Sequence, residues 1–229
     1  MIPSDSSLAR FQSLNKEIYL ATNDCNHSNM EMFSRLHRHI TQVLKAVRKK
    51  KHETMGYHLC MALSWSFALA NRFHINLANE MWEFFPGFCL YCSDAPCSCK
   101  ERARERRKLK GESNGEQPVS LFDWQAMFAK IYPNVVINSA MHLAEEAGEV
   151  DEAIRNYSAT HDPNWFRKIV EELVDVITNI FGVANCLHIN LAVGMAGYFG
   201  DGCSKCHKSP CDCGYVATDQ PILLYQKIS

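Results

Sequence analysis

Two short acidic stretches carry the residue types best suited to chemistry in this chain. One is Glu145-Glu146-Ala147-Gly148-Glu149, with Asp151 and Glu152 just beyond, and the other is Glu171-Glu172-Leu173-Val174-Asp175. Spacings of three and four place Glu145, Glu146, Glu149 and Glu152 along one side of a helix, and put Glu172 one turn from Asp175. Alone, the first stretch reads as a solvated acidic face. The second is harder to dismiss, because Glu172 and Asp175 lie in a run whose other faces are apolar, and an unpaired buried carboxylate is very costly. Arg167 and Lys168, one turn away, are two charges against five or six acids, so a cation is needed to complete the balance. Carboxylate oxygens from two adjacent helices suit a hard ion such as Mg2+, which takes oxygen ligands and keeps waters and phosphates in its shell. Two such ions can clamp a phosphoryl group and activate a water for in-line attack.

Cysteine supplies the second chemistry. Cys89-x2-Cys92-x4-Cys97-x-Cys99 returns as Cys203-x2-Cys206-x4-Cys211-x-Cys213, each giving four thiols within eleven residues. Four thiolates suit a closed, tetrahedral structural zinc site, which has no open position for substrate. An iron–sulfur centre and a redox-labile disulfide are the alternatives. Eleven cysteines are many for a chain whose start lacks the basic and apolar pattern of a signal peptide. In a reducing compartment clustered thiols more often hold metal than pair.

The elements that must position these groups are helices. Ser7–Tyr19 and Ser120–Tyr132 read as first helices, about Asn29–Lys50 and Ala140–Tyr157 as second ones. The run from Lys168 to Leu187 is apolar around most of its circumference, the mark of a buried helix. Asp162 caps its approach, with Pro163 at the first helical position. Asn76 and Asn190 read as caps of short fourth helices that exit through Gly87, Gly200 and Gly202 into the cysteine clusters. Trp65 and Phe67 read as core.

This order of elements is written twice. Ala70-Asn71-Arg72-Phe73-His74-Ile75-Asn76-Leu77-Ala78 returns 114 residues later as Ala184-Asn185-Cys186-Leu187-His188-Ile189-Asn190-Leu191-Ala192, identical at seven of nine positions. The acids are not repeated. At the same offset Glu146, Glu149 and Glu152 fall on Met32, Arg35 and Arg38, and Glu172 and Asp175 on His58 and Met61. Only Glu31 stands opposite Glu145. The first copy therefore cannot build the acidic site, and the duplication points to an old dimer fused into one chain with one surviving centre.

Glu145-Glu146-x-x-Glu149 followed by Glu172-x-x-Asp175 resembles the MazG-like nucleoside triphosphate pyrophosphohydrolases, the group that includes the all-α dUTPases and dCTP pyrophosphatases. His142-Leu143-Ala144 before the first motif, and Val174-Asp175-Val176-Ile177 and Ala184-Asn185 around and after the second, fit as well. The likeness is strong over Leu121 to Met195, weaker over the first copy and absent in the cysteine clusters. It implies an all-α fold of tandem four-helix repeats forming an intramolecular pseudo-dimer, each followed by a small four-cysteine zinc cluster. It further implies Mg2+-dependent conversion of an NTP or dNTP to the monophosphate and pyrophosphate. Carried over, Glu146, Glu149, Glu172 and Asp175 hold the metal, with Glu145 a further ligand or the group that orients the attacking water; Glu145, Glu149 and Glu172 are then the catalytic acids. Asn179 either faces the nucleobase or is a satisfied core amide. Lys168 either reaches a phosphate or balances Glu172. Arg35 and Arg38 either clamp the polyphosphate, as could His58, or are surface replacements.

The expected organisation is a degenerate repeat over 1–99, a linker over 100–118, the catalytic repeat over 119–213 and a tail over 214–229. The 229 residues are 47% hydrophobic and 21% charged with a formal net charge of −1, which is ordinary for a globular chain and gives no global reason for nucleic-acid or membrane binding. The exception is Lys100–Lys110, seven basic residues and two acids, read as a solvated helical extension. A cytoplasmic enzyme is the expectation, with pairing of two chains into a homodimer of pseudo-dimers open to it. The rival class is a nucleotide-sensing or protein-binding zinc scaffold without turnover. Zinc-assisted nucleic-acid binding ranks below both.

Overall fold

The computed structural model describes residues 2–99, 113–133 and 136–213, so the basic run from Lys100 and the tail from 214 lie outside the described residues. Within them the chain is all-helical, with eight α-helices and no strand. They are α1 (Leu8–Asn26), α2 (Asn29–Lys49), α3 (Met55–Arg72), α4 (Leu77–Phe84), α5 (Leu121–Ile131), α6 (Val136–Thr160), α7 (Pro163–Cys186) and α8 (Leu191–Phe199).

The starts follow local chemistry. Ser7 and Ser120 accept the N–H of Arg10 and Asp123 at 3.0 Å, and Asn76 and Asn190 cap α4 and α8 through Asn79 and Val193. Asp162 caps α7 through the Asn164 N–H at 2.9 Å, with Pro163 opening the helix as its fixed φ allows. The first helices differ in length for a covalent reason. Tyr132 precedes Pro133, which disfavours the helical conformation of the residue before it, and α5 ends at Ile131. No proline stands at the matching place in α1, which runs on to Asn26.

α3 and α7 are the apolar helices and lie at the centre. They pack on each other, α2 packs on α3, α6 on α7, and α2 on α6. α1 and α5 flank them, each against the apolar helix of its own run. Gly182 of α7 faces the fully buried Ser139 of α6, where a Cβ would come within 3.1 Å of the hydroxyl, so these two helices approach closely. Buried residues from all eight helices form one continuous core. Phe67 is fully inside it, whereas Trp65 is half-buried at its edge.

The two runs of four helices are stitched at matched points. The starts of α1 and α5 meet in an antiparallel bridge, Leu8 N–H donating to Val119 O and Leu121 N–H to Ser6 O. Buried Gln125 donates to Asn185 Oδ1 and Ile189 O and accepts the Leu191 N–H, tying α5 to the α7–α8 corner. Gln12 makes the same three bonds with Asn71, Ile75 and Leu77. The cysteine segments exchange partners: Cys97 N–H donates to Ile131 O of α5 and Cys211 N–H to Ile18 O of α1, both at 2.7 Å. Each cluster thus rests on the first helix of the other run. No single helix among the described residues is long and apolar enough to cross a membrane.

Candidate metal centres

The α6–α7 contact brings Glu146, Glu149 and Glu172 together, with one carboxylate oxygen of each within 4.8 Å of the others. Glu172 is 1% exposed, Glu146 is half-buried and Glu149 opens to solvent. Burial pushes the Glu146 carboxyl up to about 8, helped by the neighbouring charge of Asp175 and by Glu172 and Glu149. Burial also raises Glu172, against the opposing pull of Lys168. Three acids crowded in a partly dry place resist ionising together, and a multivalent cation relieves that in a way one ammonium does not.

The ammonium is there all the same. Lys168 Nζ lies directly against Glu172 Oε1, 3.7 Å from Glu149 and 3.8 Å from Glu171. Burial works against its charge, but the acids outweigh that and hold its pKa above the ordinary value. Arg167 is turned elsewhere. It pairs with Glu80 and Glu83 of α4 at 2.9 Å, stacks over Phe84 and comes within 3.9 Å of Glu171, so of the two it is Lys168 that meets Glu149 and Glu172.

The other residues read from sequence distribute around this group. Asp175 is half-buried, and its carbonyl accepts from Thr178 Oγ1 and Asn179 Nδ2, both at 2.9 Å. Asn179 is therefore a half-buried amide bonded back into its own helix. Glu145 is exposed and pairs with His142 at 3.1 Å, and Glu152 is exposed one turn beyond Glu149. The structure groups none of Glu145, Glu152 and Asp175 with Glu146, Glu149 and Glu172, although the Asp175 charge is felt at Glu146. Arg35 stands in the wall of a separate cavity with Tyr57, Met61 and Trp65.

Arg38 lies near His58, the residue opposite Glu172 in the first copy. His58 is buried and shares a 3.1 Å Nδ1–Nδ1 contact with His39, so one ring donates and the other accepts. Burial, then Arg38 and Lys45, push His58 down to about 4. A base whose folded pKa is depressed leaves more protons on the unfolded chain, so stability present above the unfolded value of 6.5 is lost as pH falls towards 4. This contribution is about 3 kcal/mol at its limit. Urea midpoints of the native chain should fall more steeply between pH 7 and pH 4.5 than those of His58→Asn, which keeps a neutral amide at the Nδ1 position. Parallel curves would contradict it.

The cysteines form two compact groups. Sulfur separations are 3.8 Å for Cys89–Cys99, 3.8 Å for Cys92–Cys97 and 3.4 Å for Cys89–Cys97. The second group has 3.7 Å for Cys203–Cys213, 4.0 Å for Cys206–Cys211 and 3.4 Å for Cys203–Cys211. Four thiolates about 2.3 Å from a tetrahedral Zn2+ are about 3.8 Å apart, so both groups have the span of a four-thiolate metal site. Without an ion the thiols in each group cannot all ionise. Cys92, against the effect of its burial, is drawn down to about 6 by the Ser98 and Asp94 N–H groups. Cys206 falls to about 6 through the Asp212 N–H, while burial raises Cys97, Cys99 and Cys211, and Cys213 to about 11.

Sequence reasoning missed the tyrosines beneath these groups. Tyr132 lies beside Cys89 and under Phe85, and Tyr19 beside Cys203 and under Phe199, accepting the Ser204 N–H. Their matched spacing from Ser120 and Ser7 was the available signal. No family model, curated protein or solved structure matches the chain.

Proposed function

We propose that the chain is a Mg2+-dependent pyrophosphohydrolase of nucleoside triphosphates, with one active site per chain at the α6–α7 contact. The carrying observation is Glu172, a carboxylate 1% exposed that shares its place with Glu146 and Glu149 from the facing helix. Nothing in the packing of a helical bundle requires an acid there, and leucine or valine would be more stable. The donor set, all carboxylate oxygen, fits a hard divalent ion. On this reading the repeats span 1–99 and 119–213, arranged as a pseudo-dimer of MazG-like units, and both four-cysteine clusters hold structural zinc.

Glu146, Glu149, Glu172 and Asp175 are the residues that would hold Mg2+. When bound, the ion supplies charge stabilisation to the phosphates and acidity to a coordinated water. Glu172, fixed in the dry interior, sets the floor of the site. Glu149 at the open side is placed to take the proton of a water that attacks the α-phosphorus. That attack breaks the bond to the bridging oxygen and releases pyrophosphate. Glu145 orients water from the solvent side. Lys168 holds the acids together in the resting state and is within reach of an arriving phosphate through its flexible stem. Asn179, one turn along α7 from Asp175, marks the direction of the base.

A panel of ribo- and deoxyribonucleoside triphosphates with Mg2+, assayed for pyrophosphate, tests this. Turnover of at least one, with monophosphate and pyrophosphate in equal amounts, is expected. Tight binding without product would favour a nucleotide-sensing scaffold instead.

A further inference from the structure

The outer face of α6 is apolar over its first three turns. Ile137 and Met141 are 49% and 56% exposed, Ala144 is half-buried beside them, and Gly148 stands open to solvent on the same line. Steps of four, three and four keep these residues on one side of the helix, away from Ser139, Leu143, Ala147 and Val150, which face the core. The inner side of α6 packs on α7 and α2, whereas about half of Ile137 and of Met141 is left uncovered by the described residues. Gly148 adds a second mark. Glycine is the least favourable residue after proline inside a helix, and the packing of this chain does not ask for it, since a Cβ there would meet no atom within 4 Å. A gap beside exposed large apolar side chains suits a side chain arriving from outside.

Charge divides the same helix in two. The stretch from Val136 to Ala144 holds one histidine and no acid, and Glu145, Glu146, Glu149, Asp151 and Glu152 follow it directly. Two such helices laid side by side in the same direction would set acids against acids. Laid in opposite directions, each acidic half lies along the acid-free half of the other. A two-fold axis between His142 and Leu143 then places Ile137 opposite Gly148 and Met141 opposite Ala144, so a large side chain meets a small one at every step. A contact of this kind is self-complementary and closes after two copies.

We propose that the outer face of α6 is the docking surface for a second copy of this chain, the two α6 helices running antiparallel about a two-fold axis. Exposed Glu145 of one copy then lies beside exposed Asn138 and His142 of the other, a polar rim without like charges. From Ile137 to Gly148 the helix is about 17 Å long, less than a permanent interface spans, so the dissociation constant is expected at roughly 10 µM. The contact runs beside the acids of the α6–α7 contact and stands whether or not they hydrolyse anything.

Sedimentation equilibrium of the full chain tests the proposal, with reductant so that exposed Cys25 forms no disulfide and without chelator so that the cysteine clusters are left intact. Two copies should be found together at about 100 µM and single chains at about 1 µM. Ile137→Asp sets an acid against the acids of the second copy, yet an acid in the first turn favours the helix, so the fold is kept. Gly148→Met fills the place that Ile137 of the second copy takes, where its side chain meets nothing of its own chain. Each should raise the dissociation constant about ten-fold or more, the loss expected at the centre of a contact. Val193→Asp, at an apolar residue of α8 that is 57% exposed, should leave it unchanged. Circular dichroism shows whether each variant is folded. Single chains at about 100 µM would overturn the proposal, as would association indifferent to both Ile137→Asp and Gly148→Met. Weakening by only one of the two would overturn the antiparallel register, and loss only in Val193→Asp would place the contact on α8 instead.

Discussion

Glu172→Gln is expected to lower Mg2+-dependent pyrophosphate release by about a thousand-fold, the scale on which a single charge-stabilising group is missed at an active site. The amide has the shape of the carboxylate, so the α6–α7 packing around it is kept. What disappears is the fixed negative charge at the floor of the site, where Glu172 is 1% exposed and no water can replace it. Thermal stability should not follow activity. Burial already raises the Glu172 pKa, and Glu146 beside it is pushed up to about 8, so the resting acids repel one another. A neutral Gln relieves that repulsion while removing the close ion pair with Lys168. These effects oppose, and the melting temperature should stay within about 3 °C, equivalent to about 1 kcal/mol for a chain of this length. Activity within ten-fold of the native chain would remove Glu172 from the site, and with it the reading built on it.

The acids illustrate what the linear text can carry. Glu172 was legible as buried because every other face of its helix is apolar, and the structure leaves it 1% exposed. Periodicity placed Glu145, Glu146, Glu149 and Glu152 along one side, but a side is wider than a site. Glu146 and Glu149 join Glu172, while Glu145 turns to His142 in solvent and Glu152 stays exposed. The angle at which α7 meets α6 selects among them, and that angle depends on contacts such as Gly182 on Ser139 that no local pattern announces. Arg167 and Lys168 both counted as neutralising charges one turn from the acids, with Lys168 alone read against Glu172. Tertiary contacts separate them, because α4 supplies Glu80, Glu83 and the Phe84 ring to Arg167 alone. The exchange of cysteine clusters between runs was invisible for the same reason, since it joins residues such as Ile18 and Cys211 across nearly the whole chain.

That exchange makes an unusual prediction for metal loss. On the proposed zinc reading, Cys203→Ser, which removes one sulfur of the second cluster, is expected to lower stability by several kcal/mol, because structural zinc binding contributes about 10 kcal/mol or more to the folding of small metal sites. The damage should appear in a distant part of the sequence. Cys211 N–H donates to Ile18 O, Thr22 Oγ1 to Cys211 O and Ser204 N–H to the Tyr19 hydroxyl, so α1 loses its support when this loop opens. Tyr19 also packs edge-on against Phe199, which leads into the loop. Hydrogen exchange should therefore accelerate over Ile18–Asn26, while α5 is little changed. Cys89→Ser should do the reverse. Its loop holds α5 through Cys97 N–H to Ile131 O and through Phe85 on Phe128 and Tyr132, so exchange should rise over Phe128–Tyr132 and spare α1. Fraying confined in each variant to the altered loop would mean that the clusters are appendages. The crossed pattern would mean that each cluster clamps one half of the chain to the other, and that the acidic site at the α6–α7 contact depends on both.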